Sequence, residues 1–494
     1  MNSARTARFT DGTRLEARRL MALVAVAVAV RVAAVFAVGS YRLDRVTYEH
    51  GEIARNLVEG RGFSIRWMGA EGPTSQQAPV YPALVAVFYC AFGVETASAL
   101  LALQLFQAAL GGVLVVAVTQ FCRELMPEQR ATAWLAGLGC AVYPILVYAV
   151  TQVQVASLAT LLVVFVLWTA ARAARCRSLA TAVGCGTASG LLVLADPILS
   201  LAVAVALLMI VAARTPILCT GQPGAGIEDP HHSSIASHHS PIHLCTIVLI
   251  VSATVVASWI VRNRFVHGEW VFVKSTFGYA FWQGNHARSF GTDKIPARPA
   301  GMADATAQPL RELERSLWQA RHEGTLYIDD VVLSRQRVAE LGRYSEPERS
   351  RRLFAESLAY LREHPAHYAR LCLQRLRFFV LFDETNPKSR VRAYRVSHWT
   401  LLVMCVAGLW LTRQHTRRLW PTYLLFALVT TFHALTIASA RFHIPLEPIR
   451  IIWAAGGLAA AASVVVRLAR RVVSSRSLTR PNRVNPLASP AKPV

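Results

Sequence analysis

Acidic residues are scarce in this chain: 29 Asp and Glu stand against 52 Lys and Arg, and charged residues make up only 16% of its 494 positions. The formal charge of +23 raises nucleic acid as a partner, but much of the basic excess sits in short segments beside apolar runs. That is the signature of membrane topology, and no nucleic acid is expected. Nucleotide motifs are missing as well. No Gly-x-x-x-x-Gly-Lys-Ser/Thr occurs, and the Gly60-Arg61-Gly62 step is too short for a dinucleotide fingerprint, which disfavours an ATP-driven pump. The nine cysteines, an odd number, lie mostly in or beside apolar segments, and no disulfide framework or paired zinc motif follows from them. Internal repeats of about 20 to 50 residues and strand-rich alternation are absent, which removes solenoids and strand-based folds.

What is abundant is apolar sequence. Hydrophobic residues reach 54%, much of it in long uninterrupted runs, so the chain reads as an all-α polytopic membrane protein. Counting these runs gives about 10 to 12 transmembrane helices. Residues 1–19 are too polar and arginine-rich for a secretory signal, and Leu20 to Gly39 is long enough to span as an uncleaved first helix. Further spans are expected at Ala97 to Phe121, Ala131 to Ala149, Val153 to Ala171, Leu179 to Ala195, Ile198 to Val211 and His243 to Val261. The last three run from Trp399 to Leu411, Pro421 to Ala438 and Ile449 to Val466. Basic segments at Arg123 to Arg130, Arg172 to Arg177, Arg413 to Arg418 and the tail from Arg467 all fall inside when Phe265 to Arg395 is outside. This parity requires that Pro79 to Phe92 does not cross fully, unless a further crossing lies elsewhere.

The resulting organisation is a cytoplasmic segment (1–19), transmembrane helices (20–264) and an external helical domain (265–395), followed by C-terminal transmembrane helices (396–466) and a basic cytoplasmic tail (467–494). Within the first helical block lie an external loop (40–78) and a flexible cytoplasmic loop (214–242). His231, His232, His238 and His239 of that second loop, with His243 just after it, are candidate metal ligands, but no carboxylate or cysteine supports a defined geometry, and neither a metal nor a cofactor is expected. In the external domain, Ser345-Glu-Pro-Glu348 reads as a capping box opening a helix that continues through Leu353, Leu358 and Leu361. Gly186 and Gly190 form a small-xxx-small pair suited to close helix packing. Asp196-Pro197 reads as an N-cap followed by Pro at the first helical position.

The first external loop is where chemistry is concentrated, because it gathers Asp44, Glu49 and Glu52 just after the first crossing. Its stretch Tyr48-Glu-His-Gly-Glu-Ile-Ala-Arg-Asn-Leu57, followed by Gly60-Arg-Gly-Phe-Ser64, Gly72-Pro-Thr74 and Ala78-Pro-Val-Tyr-Pro82, resembles the start of the GT-C membrane glycosyltransferases. More narrowly, it resembles bacterial relatives of the protein O-mannosyltransferases and of the lipid A aminoarabinose transferase. Phe281-Trp-Gln-Gly-Asn285, Glu356 to Pro365, and Arg441-Phe-His-Ile-Pro-Leu-Glu-Pro448 extend the resemblance in the same order. It implies a GT-C-like fold and transfer of a sugar from a polyprenyl-phosphate donor to a glycan, lipid or protein acceptor, usually with inversion. It also implies an acid of the first external loop as general base. Glu49 stands where the family's acid occurs and is the first candidate. Asp44 is the second, since many relatives place an aspartate soon after the first span. One departure is that relatives carry a glutamate where this chain has Gln152-Val-Gln154.

Each candidate has a plainer reading. Glu49 or Glu52 can serve as a first-turn carboxylate of a helix, and Asp44 can pair with Arg42 or Arg45. For the leaving phosphate, Arg441 is the best cation, at the outer end of a span and close to His443, although a snorkelling arginine reads the same way. Arg262 and Arg264 also follow a span outward, where they can bind phosphate or contact lipid headgroups. Tyr48, Tyr81, Trp282 and Asn285 are the expected lining of the substrate pocket, since aromatic rings and amides suit sugar surfaces; folding of the external domain equally accounts for Trp282 and Asn285. A transporter or assembly factor for lipid-linked sugars is the alternative, with Arg31 as the main intramembrane charge.

Overall fold

The computed structural model describes residues 2–43, 47–213, 239–295 and 326–478. The N-terminal half comprises α1 (Asn2–Val38), α2 (Tyr48–Val58), a hairpin of β1 (Ser64–Trp67) and β2 (Ala70–Pro73), α3 (Val80–Phe92), α4 (Ala97–Leu125), α5 (Arg130–Val142) and α6 (Pro144–Ala149). There follow α7 (Ala156–Cys176), α8 (Leu179–Ala195), α9 (Leu201–Ala212) and α10 (Pro241–His267). The outer part contains α11 (Phe277–Gly284), β3 (Lys294–Ile295), β4 (Leu326–Tyr327), α12 (Ile328–Val332), α13 (Arg335–Leu341), α14 (Glu346–Glu363) and α15 (Pro365–Val380). The chain returns through α16 (Arg392–Leu411), α17 (Thr416–Leu435) and α18 (Glu447–Leu478).

Five segments are long and apolar enough to cross a membrane: Arg14–Val38, Ala97–Leu125, Ala156–Cys176, Pro241–His267 and Ile444–Arg467. The pair Arg392–Leu411 and Arg413–Leu435 makes a sixth if read as one span, bent by 69°. Three shorter apolar helices, Val80–Phe92, Leu179–Ala195 and Pro197–Ala212, complete the set among the described residues. The chain is thus an all-α polytopic membrane protein. The larger number expected from sequence comes from counting the shorter apolar stretches as crossings. The stretch from Pro79 to Phe92, not counted among those crossings, forms α3, which at a rise of about 1.5 Å per residue is about 20 Å long against a hydrocarbon core of about 30 Å.

The span expected from Ala131 to Ala149 is broken, because Pro144 cannot donate to the helical ladder and opens a new short helix after α5 ends. Such a break strands carbonyls inside the membrane part. Arg31, only 1% exposed, covers them: Nη1 donates to Ala141 O at 2.8 Å and Nη2 to Cys140 O at 2.7 Å. A cation at a helix C-terminus is favoured by the dipole as well as by these bonds. Close packing elsewhere follows small residues. A Cβ on Gly186 would meet Val248 O at 2.9 Å, and one on Gly190 would meet Ser252 O at 3.1 Å, so α8 lies directly on α10.

Outside the helical bundle, the first loop and the large loop share one core. Ile53 of α2, Ile65 and Trp67 of the hairpin, Tyr279 and Trp282 of α11, and Leu341 and Leu353 of the outer helices pack together. The hairpin was not anticipated from sequence. Its two-residue turn places Met68 at φ 48° and Gly69 at φ 77°, as a tight turn between twisted strands requires. Glu346, at the start of α14, ties the two loops: it accepts from Thr74 Oγ1 at 2.6 Å, from Ser75 N at 2.8 Å and from the Ser275 hydroxyl. Arg349 adds a bond to Trp67 O at 3.0 Å.

Candidate functional site

Helix α2 presents Glu49 because of what surrounds its first turn. Tyr48 enters with a positive φ of 51°, a conformation uncommon for a residue with a side chain, and it packs against Tyr327. Thr47 folds over the turn into space that only Gly51 leaves open, since a Cβ there would lie 2.0 Å from Thr47 Oγ1. The remaining acid of the helix, Glu52, is buried and accepts the backbone N–H of Arg66 at 3.1 Å, which anchors α2 to the hairpin. Glu49 by contrast is half-buried and accepts no hydrogen bond among the described residues.

Glu49 opens onto a recess that also holds Arg441, Lys274, Asp196 and Asp293, each within electrostatic reach of others in the group. Solvent reaches the recess at Arg441, whose side chain is exposed, while Glu49, Lys274 and Asp196 are partly buried and the Asp293 side chain is 14% exposed. Burial pulls the Arg441 guanidinium down, but Asp293 and Glu49, followed by Tyr327 and Tyr48, hold it above its ordinary value. Its side chain makes no hydrogen bond among the described residues, so the planar fork is free for an anion. Lys274 is shifted down by burial and by Arg441, against the pull of Asp196 and Glu49, and its Nζ donates to Gln77 Oε1 at 3.1 Å. Asp293 resists its burial because Lys294 and Arg441 hold it low, and Lys294 Nζ lies 2.7 Å from Asp293 Oδ1. His50 is kept neutral, down to about 3, by burial first and then by Lys274 and Arg441.

Three of the residues expected from sequence are therefore together: Glu49, Tyr48 and Arg441. Tyr81 lies just behind them, fully buried, with its ring 4.9 Å from His50 and its hydroxyl donating to Gln107 Oε1 at 2.8 Å. Asp44 lies outside the described residues. The rest are elsewhere. Arg264 is exposed on α10 and is absent from the electrostatic group, whereas its neighbour Arg262 is used structurally, bonding Thr74 O at 2.6 Å and Phe63 O at 3.0 Å. Trp282 is 0% exposed and fills the outer core, so it cannot line an open pocket. Asn285, also 0% exposed, caps helix ends: its Nδ2 donates to Phe281 O at 2.9 Å and Thr436 O at 2.8 Å. It accepts from Arg375 Nη1 at 2.9 Å, and that guanidinium also binds Gly284 O, Ala434 O and Thr436 O. His443 is buried against Glu447, with Nδ1 at 2.7 Å from Oε1, and is not within the recess.

Asp196 serves as the cap read from sequence, accepting from Ile198 N at 3.2 Å, and it also faces Lys274 across the recess. Lys274 was not singled out from sequence; its one signal is a lone cation in the otherwise uncharged stretch from Val271 to Tyr279. Among the described residues, no group of three or more His, Cys, Asp or Glu is arranged to hold a metal ion.

No family model matches the chain, and no curated protein matches it. Solved structures do. AglB, an archaeal oligosaccharyltransferase from Archaeoglobus fulgidus in complex with an inhibitory peptide and a dolichol-phosphate, aligns with 94% of this chain at 15% identity and a TM-score of 0.47. This chain spans only 52% of that protein. ArnT from Cupriavidus metallidurans bound to undecaprenyl phosphate aligns with 88% of this chain and 77% of its own, at 15% identity and a TM-score of 0.34. Both likenesses concern overall shape and fall below a TM-score of 0.5. At this identity no residue role passes from them to this chain.

What the recess can do follows from its own groups. A carboxylate free of hydrogen bonds can accept a proton, and a free guanidinium beside a lysine can receive a phosphate whose charge is growing.

Proposed function

We propose that this protein is a membrane glycosyltransferase that moves a sugar from a polyprenyl phosphate to an acceptor at the outer face of the membrane. The observation that carries the reading is the joint presence, in one solvent-reachable recess, of a Glu49 carboxylate and an Arg441 guanidinium that make no hydrogen bonds among the described residues. In the reaction an acceptor hydroxyl attacks the anomeric carbon and passes its proton to Glu49. The bond from that carbon to the phosphate oxygen breaks, and its electron pair leaves with the phosphate. Arg441 and Lys274 stabilise the charge gathering there, Arg441 through its planar fork. Asp44 is the second candidate for the base. Tyr48 belongs to the sugar-facing side of the recess, and Tyr81 stands buried behind it.

The donor is a polyprenyl-phosphate sugar, the acceptor a glycan, lipid or protein, and both termini are cytoplasmic in a multi-pass cell membrane protein. The transporter alternative loses its main support, because the Arg31 guanidinium is engaged by carbonyls at a helix break. Purified protein in lipid discs, given a panel of polyprenyl-phosphate sugars and acceptors, is expected to consume one donor and release polyprenyl phosphate. Failure of a correctly inserted protein to consume any of them would overturn the assignment.

A further inference from the structure

A carboxylate and a guanidinium are sealed together where α18 begins. Glu447 is 0% exposed, Arg450 3% and His443 2%. Glu447 Oε1 takes both Arg450 Nη1, at 2.9 Å, and His443 Nδ1, at 2.7 Å. The far side of the imidazole, Nε2, lies 3.3 Å from the Tyr394 hydroxyl of α16. Four sealed polar atoms of this neighbourhood have no hydrogen-bond partner among the described residues: Glu447 Oε2, Arg450 Nη2, Tyr143 Oη and His398 Nδ1.

Stability alone is a poor explanation for such a group. A buried ion pair with unsatisfied atoms is often no better than well-packed apolar residues of the same volume. Its spacing suggests another use. Glu447 reaches back four residues to His443 and forward three to Arg450, so one carboxylate clasps the turn Ile444–Leu446 to the first turn of α18. Arg441 stands immediately before that turn, joined to it by Ile444 N to Arg441 O at 3.3 Å and Leu446 N to His443 O at 2.9 Å. Phe442 N bonds Ser439 O at 3.0 Å, and Ala440 N bonds Asp383 Oδ2 at 3.2 Å. The Arg441 side chain makes no hydrogen bond among the described residues and lies 5.4 Å from the Phe442 ring centroid, so this backbone fixes where both side chains are rooted.

We infer that Glu447 is a positioning residue: by holding His443 it fixes the turn from which Arg441 reaches toward Glu49 and Asp293. The importance of Arg441 rests on the proposed transfer reaction, whereas the mechanical link does not. Two measurements on the full-length protein in lipid discs separate them. Hydrogen exchange over residues 439–446 reads the link itself. Glu447→Gln removes a charge-assisted bond, and protection there should fall by about 10-fold or more while the middle of α16 and α18 is unchanged. Unchanged exchange over 439–446 overturns the inference. Should Glu447→Gln insert poorly, His443→Gln cuts the same link from the other end and is read in the same way. The second measurement is affinity for undecaprenyl phosphate. Glu447→Gln should weaken it by about 10-fold in the parental background and not at all on top of Arg441→Ala. Equal weakening in both backgrounds means that Glu447 does not act through Arg441. If the parental protein does not bind this lipid, the reading of the reaction fails, and the exchange result still decides the link.

Discussion

Replacing Glu49 by Gln keeps the length of the side chain and a hydrogen-bonding tip, but removes the ability to take a proton near neutral pH. Two outcomes of very different size separate the roles open to this residue. As a first-turn carboxylate of α2 it interacts with the helix dipole, worth about 0.3–1 kcal/mol, and its partial exposure puts it at the low end. Losing that changes the folded population slightly and leaves turnover of the folded protein intact. As the general base its loss should lower transfer by roughly 10² to 10⁴. The structure sharpens the comparison, because Glu49 accepts no hydrogen bond among the described residues and its removal collapses no network. It also acts as counter-charge to Arg441 and Lys274. With that charge gone the recess becomes more cationic, so the donor KM should hold or fall while kcat drops. Transfer rate and melting temperature should be measured on the same purified samples, with Asp44→Asn alongside. Normal turnover by Glu49→Gln beside an inactive Asp44→Asn moves the base to Asp44; parental rates in both refute the proposed chemistry of this loop.

Arg441→Lys keeps the charge and loses the planar fork, so a partial defect is expected, with Arg441→Ala worse by the order of one oxyanion contact, about 2.7–4 kcal/mol in kcat/KM; normal turnover by a well-inserted Arg441→Ala would exclude it from the site. His50 has a folded-state pKa of about 3 against an ordinary value of 6.5, so between these pH values the unfolded chain holds the proton and stability is lost as pH falls through the window. Melting curves of His50→Phe should therefore depend less on pH below about 6.5 than those of the parent, and parallel curves would show that His50 is not the sensitive group. Cysteines placed singly at Glu59 and Ser345 should react with an impermeant reagent from outside and those at Glu128 and Gln414 only from inside; Ser345 and Gln414 reacting from one side would break the orientation.

The fold was legible where physics is local. Apolar runs announced the helices, Ser345 caps α14 by accepting from Glu348 N, and Asp196 caps the turn after α8. Even there the box at Ser345 is half made, because Glu348 turns outward to Arg351 and Arg352. The hairpin was hidden, since four-residue strands around Met68-Gly69 carry too little alternation to register. The recess was only partly legible. Glu49 and Arg441 sit in recognisable stretches, but Lys274 joins them only through tertiary folding. Trp282 and Asn285, expected at the pocket, are buried, because a short helix in the core needs a packed face and a capped end. His443, expected beside Arg441 at the leaving phosphate, is instead held by Glu447, which also takes Arg450, at the four- and three-residue spacings of one helix face.

Arg375 has a consequence for how the molecule comes apart. Its sealed guanidinium is shared among Gly284 O, Asn285 Oδ1, Ala434 O and Thr436 O, so one side chain of the outer domain terminates a helix of that domain and a helix of the bundle at once. Cutting the outer domain free would strip this cation of the Ala434 and Thr436 carbonyls. It would also uncover the outer core at Ile53, Ile65 and Trp67, which belong to the preceding loop. The outer domain is therefore not a separable module, and the protein should melt as one cooperative unit in which the walls of the recess are lost together with the seam beneath them.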